Sequence, residues 1–309
     1  MTKRGETREL HQVALEALDW DADARIRRVW DLKNQWIPYA RANALIRLGE
    51  EQLNRPRSPR MPCLLVHAAP NSGKTRLQRH YCALHPNDNN PTGDAIRAEV
   101  IGIEIRGPDE GAFYDALLVK LHAPFRIMDH PRKKRHQLMN ILERVGTRQL
   151  LIDEINMAIA GQALKQKTFL GNLKNLLNEL DITLFATGTR RALLAVAVDE
   201  QLETRFVKEE LAPWSNNTDF RMLLESFEAR LPLRQASELQ DPRMATLIHG
   251  LSEGYLGEAA ELVMHAAVKA IKTRAERIDL KILKGLNWRL PSQRRAEARG
   301  VVANSSKAA

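Results

Sequence analysis

The sequence predicts an α/β protein with a parallel β-sheet, a helical segment before it and a small helical domain after it. Three observations support this class. Short apolar segments alternate with helical patterns between residues 62 and 187, a helix-like segment precedes them, and only helical patterns follow Pro213. Such alternation is typical of strand–helix–strand units, in which crossover helices connect parallel strands.

We expect four segments along the chain. They are an N-terminal helical extension and linker (1–60), an α/β core (61–214), a helical lid (215–288) and a basic flexible tail (289–309). The proline-rich basic stretch at 54–60 marks the end of the first segment, since such composition favours linkers.

Within the core, short apolar runs predict strands, and apolar residues at helical spacing predict the helices between them. The predicted strands lie near 62–67, 98–105, 149–153 and 182–187. The predicted helices are 74–84, 110–122, 133–146 and 162–180 in the core, then 218–229, 241–251, 257–275 and 279–285.

A phosphate-binding loop is predicted directly after the first strand, where the chain reads AAPNSGKT from Ala68 to Thr75. Backbone N–H groups and the following helix N-terminus favour an anion there. Lys74 would reach the β- and γ-phosphates, and Thr75 would place its hydroxyl on Mg²⁺. Ala68 stands where the motif usually has glycine, and an ordinary turn opening a helix is the alternative. The expected phosphate-binding residues are Ala69, Pro70, Asn71, Ser72, Gly73, Lys74 and Thr75.

A second motif ends the third predicted strand, where QLLI is followed by Asp153 and Glu154. Asp153 would hold Mg²⁺ through water, and Glu154 would orient or deprotonate the water that attacks the γ-phosphate. An isolated Asp-Glu pair after a strand more often caps a helix. Together with Lys74 and Thr75, however, the pair indicates hydrolysis of a nucleoside triphosphate.

The charge of the chain favours a polyanionic partner. Its 309 residues carry a formal net charge of +9, and 44% are hydrophobic, which indicates a globular protein. Residues 126–136 hold five basic side chains against one acidic, and residues 288–309 have the same balance. A solvated surface is the alternative for each run. From charge alone, the candidate DNA contacts are Lys120, Arg132, Lys133, Lys134 and Arg135.

Other site types have little support in the sequence. Cys63 and Cys82 fall in a strand and a helix, as small buried hydrophobes do, and their surroundings do not suggest zinc. No apolar run is long enough for a membrane span, and the N-terminus lacks the apolar region of a signal peptide. We therefore expect a cytoplasmic protein that does not associate with membranes.

The phosphate loop, the paired carboxylates and the helical lid together resemble the AAA+ ATPases, whose P-loop NTPase core has a five-stranded parallel sheet. Thr189, after the fourth predicted strand, resembles the sensor 1 residue, with Thr187 as second choice. Arg205 resembles the arginine finger that acts on a neighbouring subunit. Arg190 and Arg191 compete for that role. The GYLGE segment ending at Glu258 resembles the start of the sensor 2 helix, although many AAA+ proteins have arginine at that position.

Nearly the whole chain, about residues 20–285, is similar to the TniB family, which resembles the TnsC transposition regulators. The motifs that carry this resemblance keep their order along the chain: WIPYARA, GPDE, LHAP, IDEIN, FATGT, DEQLETRF and LAPW. It implies an ATPase that binds ATP and Mg²⁺ between subunits and assembles on target duplex DNA as a hexameric ring or helical filament. The assembly would recruit a DDE-type transposase, respond to a TniQ-type target-selection protein, and disassemble on ATP hydrolysis.

Two other functions remain open at this point. An AAA+ loader or remodeller of a protein or DNA substrate would couple hydrolysis to movement, but we find no aromatic-hydrophobic pore loop in the sequence. A structural module with an inactive phosphate loop would be unaffected by loss of Lys74.

Overall fold

The computed structural model describes residues 12–88 and 96–297. It contains the expected five-stranded sheet, in which each neighbouring pair of strands is parallel. The strands are β1 Cys63–His67, β2 Val100–Glu104, β3 Gln149–Asp153, β4 Thr183–Gly188 and β5 Phe206–Glu210, in the order β2-β3-β4-β1-β5. Because the strands are parallel, the carboxyl ends of β1, β3 and β4 meet at one edge of the sheet.

The three central strands form because nearly all of their side chains are buried on both faces, as is typical of parallel sheets. The edge strand β5 was not located from sequence. Its residues Val207 and Lys208 are exposed and its end is acidic, so it lacks the apolar run that marks the other strands. Polar residues are common on edge strands, where they oppose pairing with other chains.

Each helix predicted from sequence has a counterpart with the same or slightly shifted bounds, and α8, α9 and a helical segment at 291–297 are additional. The helices are α1 Gln12–Glu16, α2 Ala22–Asp31, α3 Ala40–Leu53, α4 Lys74–Leu84, α5 Glu110–Lys120, α6 Pro131–Arg144, α7 Ala163–Glu179, α8 Ala192–Ala197, α9 Glu200–Glu203, α10 Thr218–Glu228, α11 Pro242–Ser252, α12 Leu256–Lys272 and α13 Leu280–Lys284. Within the part of the chain that the structure describes, no helix is both long and apolar enough to cross a membrane.

One compact unit comprises residues 40–212 and contains the whole sheet. Helix α3, which the sequence assigned to the N-terminal extension, belongs to this unit. Gly49 of α3 lies so close to the rings of Tyr81 and Phe185 that an added Cβ would be 2.9 Å from Tyr81 Cε2. The boundary expected at residue 60 therefore does not separate α3 from the core, and the four-segment division remains a prediction.

Among the described residues, the second compact unit comprises 12–39 and 213–297. Its apolar core combines α2 with the C-terminal helices. Arg25 of α2 is only 3% exposed. Its Nε donates to the carbonyl oxygen of Pro232 at 2.9 Å, and its guanidinium is paired with Glu276. Residues 291–297 are helical, and the rest of the expected flexible tail, 298–309, lies outside the described residues.

Candidate functional site

The predicted phosphate loop connects β1 to α4 and contains two residues with left-handed backbone. Gly73 has φ 93° and Asn71 has φ 64°. Glycine adopts this conformation without a Cβ clash, and asparagine tolerates it better than most residues. Helix α4 begins at Lys74, so the N–H groups of its first turn lie at the loop without helical acceptors. The local geometry is that of an anion-binding helix N-terminus.

Lys74 is a buried cation, with 5% of its surface exposed. Its Nζ donates to the carbonyl oxygens of Ala68 at 3.1 Å and Ala69 at 3.0 Å. Burial lowers the pKa of Lys74, while the charges of Glu154 and Asp153 act in the opposite direction. Two neutral carbonyl groups do not balance its charge, and a phosphate would do so better.

Asp153, at the end of β3, accepts hydrogen bonds from three segments of the chain. Thr75 Oγ1 donates to Oδ2 at 2.7 Å, and the backbone N–H of Glu154 donates to Oδ1 at 2.9 Å. Thr187 Oγ1 of β4 also donates to Oδ1. The structure thus brings together Thr75 and Asp153, the two residues expected at Mg²⁺, and both supply the hard oxygen atoms that this ion prefers.

Glu154 has a left-handed backbone, with φ 56° and ψ 41°. For a residue with a Cβ this conformation costs about 1–2 kcal/mol. Such strain often occurs at active sites, where the surrounding structure maintains it. Here the bond from the Glu154 N–H to Asp153 Oδ1 contributes to holding the turn. The Glu154 side chain is half-buried, so it remains accessible to a water molecule.

Asn156 connects the ends of β3 and β4, a contact that the sequence did not predict. Its Oδ1 accepts a hydrogen bond from the backbone N–H of Thr189 at 2.8 Å. The contact depends on Gly188, because a Cβ there would lie 2.7 Å from Asn156 Oδ1. In the sequence, the asparagine of IDEIN and the glycine before Thr189 were visible, but their proximity was not.

Two buried hydroxyl groups near these segments have no hydrogen-bond partner among the residues that the structure describes, namely Ser72 Oγ in the phosphate loop and Thr189 Oγ1 after β4. Buried polar groups are normally satisfied, so each is a candidate ligand-binding group. By contrast, the hydroxyl of Thr187 is already bonded to Asp153. This difference favours Thr189 over Thr187 as the residue that contacts a ligand. The donors, the buried cation and the Thr75–Asp153 pair together fit a nucleoside triphosphate with Mg²⁺.

Arg205 lies inside the core unit and is 9% exposed. Its Nη1 donates to Asn178 Oδ1 of α7 at 2.7 Å. In this conformation the guanidinium does not project from the surface, whereas the competing candidates Arg190 and Arg191 are exposed. Separately, Glu258 is ion-paired with Arg294, which places a guanidinium beside the residue that stands at the expected sensor 2 position.

Lys134 is not a surface residue, although its charge made it a candidate DNA contact. It is 3% exposed. Its Nζ lies 2.7 Å from Asp115 Oδ1 and donates to the carbonyl oxygen of Ile127 at 2.8 Å. This side chain joins neighbouring segments of the chain and cannot reach a phosphate of DNA without leaving those partners. Lys134 is therefore not a candidate DNA contact in this structure.

The other four DNA candidates lie at or near the surface. Lys133 and Arg135 are ion-paired with carboxylates at 3.0 Å and 2.6 Å. Lys120 and Arg132 are exposed and form no ion pair among the described residues. The structure therefore leaves Lys120 and Arg132 as the candidates with free charge.

Comparison with known proteins identifies a family and a set of similar folds. The family model for bacterial TniB protein matches residues 25–216. A comparison with curated protein sequences gives no match.

Three solved structures illustrate the structural similarity. The ORC2 protein of Aeropyrum pernix, in ADPNP–ADP complexes, has 17% identity and a TM-score of 0.62, covering 84% of this chain and 71% of that one. The ORC1 protein of the same organism, in complex with DNA, has 18% identity and a TM-score of 0.57, with coverages of 84% and 68%. Cdc6p from Pyrobaculum aerophilum has 17% identity and a TM-score of 0.54, with coverages of 79% and 66%. At such identities, the similarity confirms the α/β fold expected from sequence.

We predict that Asn156→Ala lowers kcat for nucleotide hydrolysis by about 10- to 100-fold, because misplacing a group near the reacting atoms is costly. Nucleotide affinity should stay near that of wild type, since the phosphate loop is unchanged. Gly188→Ala, which crowds the same contact, should have a similar effect. Steady-state kinetics and fluorescent-nucleotide titration separate kcat from affinity, with exposed Asn140→Ala as the matched control. Unchanged kcat in Asn156→Ala would contradict a positioning role.

Proposed function

Because this chain belongs to the TniB family, we propose that it is an ATP-dependent DNA-binding regulator of transposition. It assembles on target duplex DNA as a ring or filament and recruits a transposase. The proposal rests on one observation: in a chain of this family, the side chains of Lys74, Thr75 and Asp153 lie close together, next to Glu154.

ATP is the proposed substrate, and different residues at the loop bind its phosphates and its metal ion. Lys74 exchanges its two backbone carbonyl partners for oxygens of the β- and γ-phosphates. Thr75 and Asp153 hold Mg²⁺. When bound, this ion supplies positive charge to the terminal phosphates. The buried hydroxyl of Ser72 adds a further donor at the loop.

Hydrolysis in this proposal depends on Glu154 and Thr189. Glu154 accepts the proton of the attacking water as general base. Thr189 orients the water or the γ-phosphate with its buried hydroxyl, and Asn156 holds the backbone N–H of Thr189. The segments that carry the base and the orienting hydroxyl are thus joined by one hydrogen bond.

DNA binding is supported by the basic charge of the chain and by a structural relative. The net charge of +9 favours a polyanion. The ORC1 protein of Aeropyrum pernix, which has a similar fold, is described in complex with DNA. Contacts from Lys120 and Arg132 to phosphates would be independent of DNA sequence and sensitive to salt.

In the proposed cycle, ATP acts as an assembly switch. ATP bound between subunits stabilises the ring or filament on DNA, and hydrolysis disassembles it. The assembled form recruits a DDE-type transposase and responds to a TniQ-type target-selection protein. An arginine from the neighbouring subunit completes each site, and we retain Arg205 as the first candidate, with Arg190 and Arg191 as alternatives. Arg205 has to leave Asn178 to act in this way.

We expect Lys74→Ala to abolish ATP-dependent assembly on DNA. Loss of the charge-assisted bonds to phosphate should weaken ATP binding by at least about tenfold. Fluorescent-nucleotide titration measures the binding, and analytical ultracentrifugation with duplex DNA measures the assembly. Exposed Lys167→Ala removes the same charge from α7 and should leave both unchanged. Normal assembly by Lys74→Ala would refute the nucleotide-gated function.

Glu154→Gln is expected to bind ATP normally and to hydrolyse it about 10²- to 10⁴-fold more slowly, because the amide cannot accept the proton. It should also remain on DNA after free ATP is removed, which can be followed by the decay of fluorescence anisotropy of labelled DNA. Exposed Glu225→Gln serves as the charge-matched control. Dissociation at the wild-type rate would exclude hydrolysis by Glu154 as the step that ends the assembled state.

The arginine finger can be assigned by mixing two inactive variants. Lys74→Ala still presents its arginines, and Arg205→Ala still binds ATP. A mixture should therefore regain part of the hydrolysis that neither variant shows alone, because one subunit completes the site of the other. The same mixing with Arg190→Ala and Arg191→Ala tests the exposed alternatives. Full activity of Arg205→Ala by itself would remove Arg205 from the proposal.

A further inference from the structure

The loop between α5 and α6 contains a tight turn whose tip is apolar. The backbone N–H of Asp129 donates to the carbonyl oxygen of Arg126 at 3.0 Å, which closes the turn. Ile127 and Met128 occupy its central positions and are 78% and 94% exposed. Turn centres usually carry glycine, proline or short polar residues. Two large apolar side chains at an exposed tip suggest a contact surface.

The backbone of this turn is anchored by the buried side chain of Lys134 in α6. Its Nζ donates to the carbonyl oxygen of Ile127 at 2.8 Å and forms an ion pair with Asp115 at 2.7 Å. The same Nζ lies 5.6 Å from the ring centroid of Phe125. The backbone of the tip is therefore anchored to α6, and such preorganisation lowers the entropic cost of binding.

Three basic residues lie close to the apolar tip along the chain. Arg126 adjoins it, and Lys120 and Arg132 lie at the ends of the two helices that the loop connects. All three are exposed and form no ion pair among the described residues. The nearby acidic residues Asp115 and Asp129 are paired with lysines. The exposed side chains of Arg126, Lys120 and Arg132 thus carry positive charge, which complements a polyanion.

We propose that this turn, residues 126–129, is a minor-groove wedge for duplex DNA. Met128 and Ile127 enter the groove and partly unstack a base step, while Arg126, Lys120 and Arg132 contact the phosphates on either side. Proteins that bind the minor groove commonly insert apolar side chains in this way and are held by flanking cations. The proposal rests on the proposed DNA-binding function and adds where and how the chain touches the duplex.

Duplex DNA fits this surface better than a second copy of the chain does. A second copy that presented the same turn would bring a like-charged rim against this one, which is unfavourable. The two tip side chains offer no hydrogen-bond donors for reading base edges. The contact would therefore depend on groove shape and on ease of unstacking, and so would suit a protein that assembles on many sequences.

The test uses the double variant Ile127→Ser/Met128→Ser in the full-length chain, since serine is well tolerated in turns. Binding to duplex DNA that carries 2-aminopurine is measured with a slowly hydrolysed ATP analogue over a series of salt concentrations. We expect about tenfold weaker binding, because apolar burial is lost. The salt dependence should not change, and the rise in 2-aminopurine fluorescence caused by wild type should disappear. Met222→Ser, at another exposed methionine, is the matched control.

A second variant isolates the charged rim. Arg126→Ala/Arg132→Ala should reduce the slope of log affinity against log salt by about one for each lost phosphate contact. Loss of the apolar tip therefore changes the affinity and the 2-aminopurine fluorescence, whereas loss of the arginines changes the salt dependence of binding.

Two outcomes would overturn the wedge alone. One is wild-type affinity and fluorescence in the double serine variant. The other is unchanged DNA contact with loss of association between copies, which would make the tip a subunit contact. Failure of the wild-type chain to bind DNA with the nucleotide analogue would instead overturn the proposed function itself, and the wedge with it.

Discussion

The candidate site depends on the buried carboxylate of Asp153. Three donors bind its two oxygens: the hydroxyl of Thr75 at the start of α4, the hydroxyl of Thr187 in β4, and the backbone N–H of Glu154. A buried carboxylate without such donors would be strongly destabilising. Its hydrogen bonds therefore join the phosphate loop and the strands β3 and β4 into one arrangement at the carboxyl edge of the sheet.

In our proposal, this arrangement is what couples nucleotide binding to assembly of the TniB-family chain. Thr75 and Lys74 bond to protein atoms here, and in our proposal both bind the nucleotide and its ion instead. Binding must then redistribute the donors around Asp153. Thr187 and the Asn156–Thr189 contact lie on the same edge of the sheet as Asp153. The exposed arginines Arg190 and Arg191 follow directly after Thr189.

The sequence predicted those parts that depend on local pattern. The central strands were visible as apolar runs, and Lys74, Thr75 and Asp153 as motifs with fixed positions relative to strand ends. What it missed depends on contacts between distant residues. Counting charges could not show that Lys134 pairs with Asp115, or that Asn178 bonds to Arg205. The strand β5 lacks an apolar run, and the proximity of Asn156 to Gly188 arises only once β3 and β4 pair.

The central claim is that nucleotide and DNA are both required for this chain to form a higher-order assembly. Negative-stain electron microscopy of the pure protein with duplex DNA, with and without a slowly hydrolysed ATP analogue, tests it most directly. Our account predicts rings or filaments on DNA only when the nucleotide analogue is present. Closed rings that form without DNA, or isolated monomers under every condition, would contradict it.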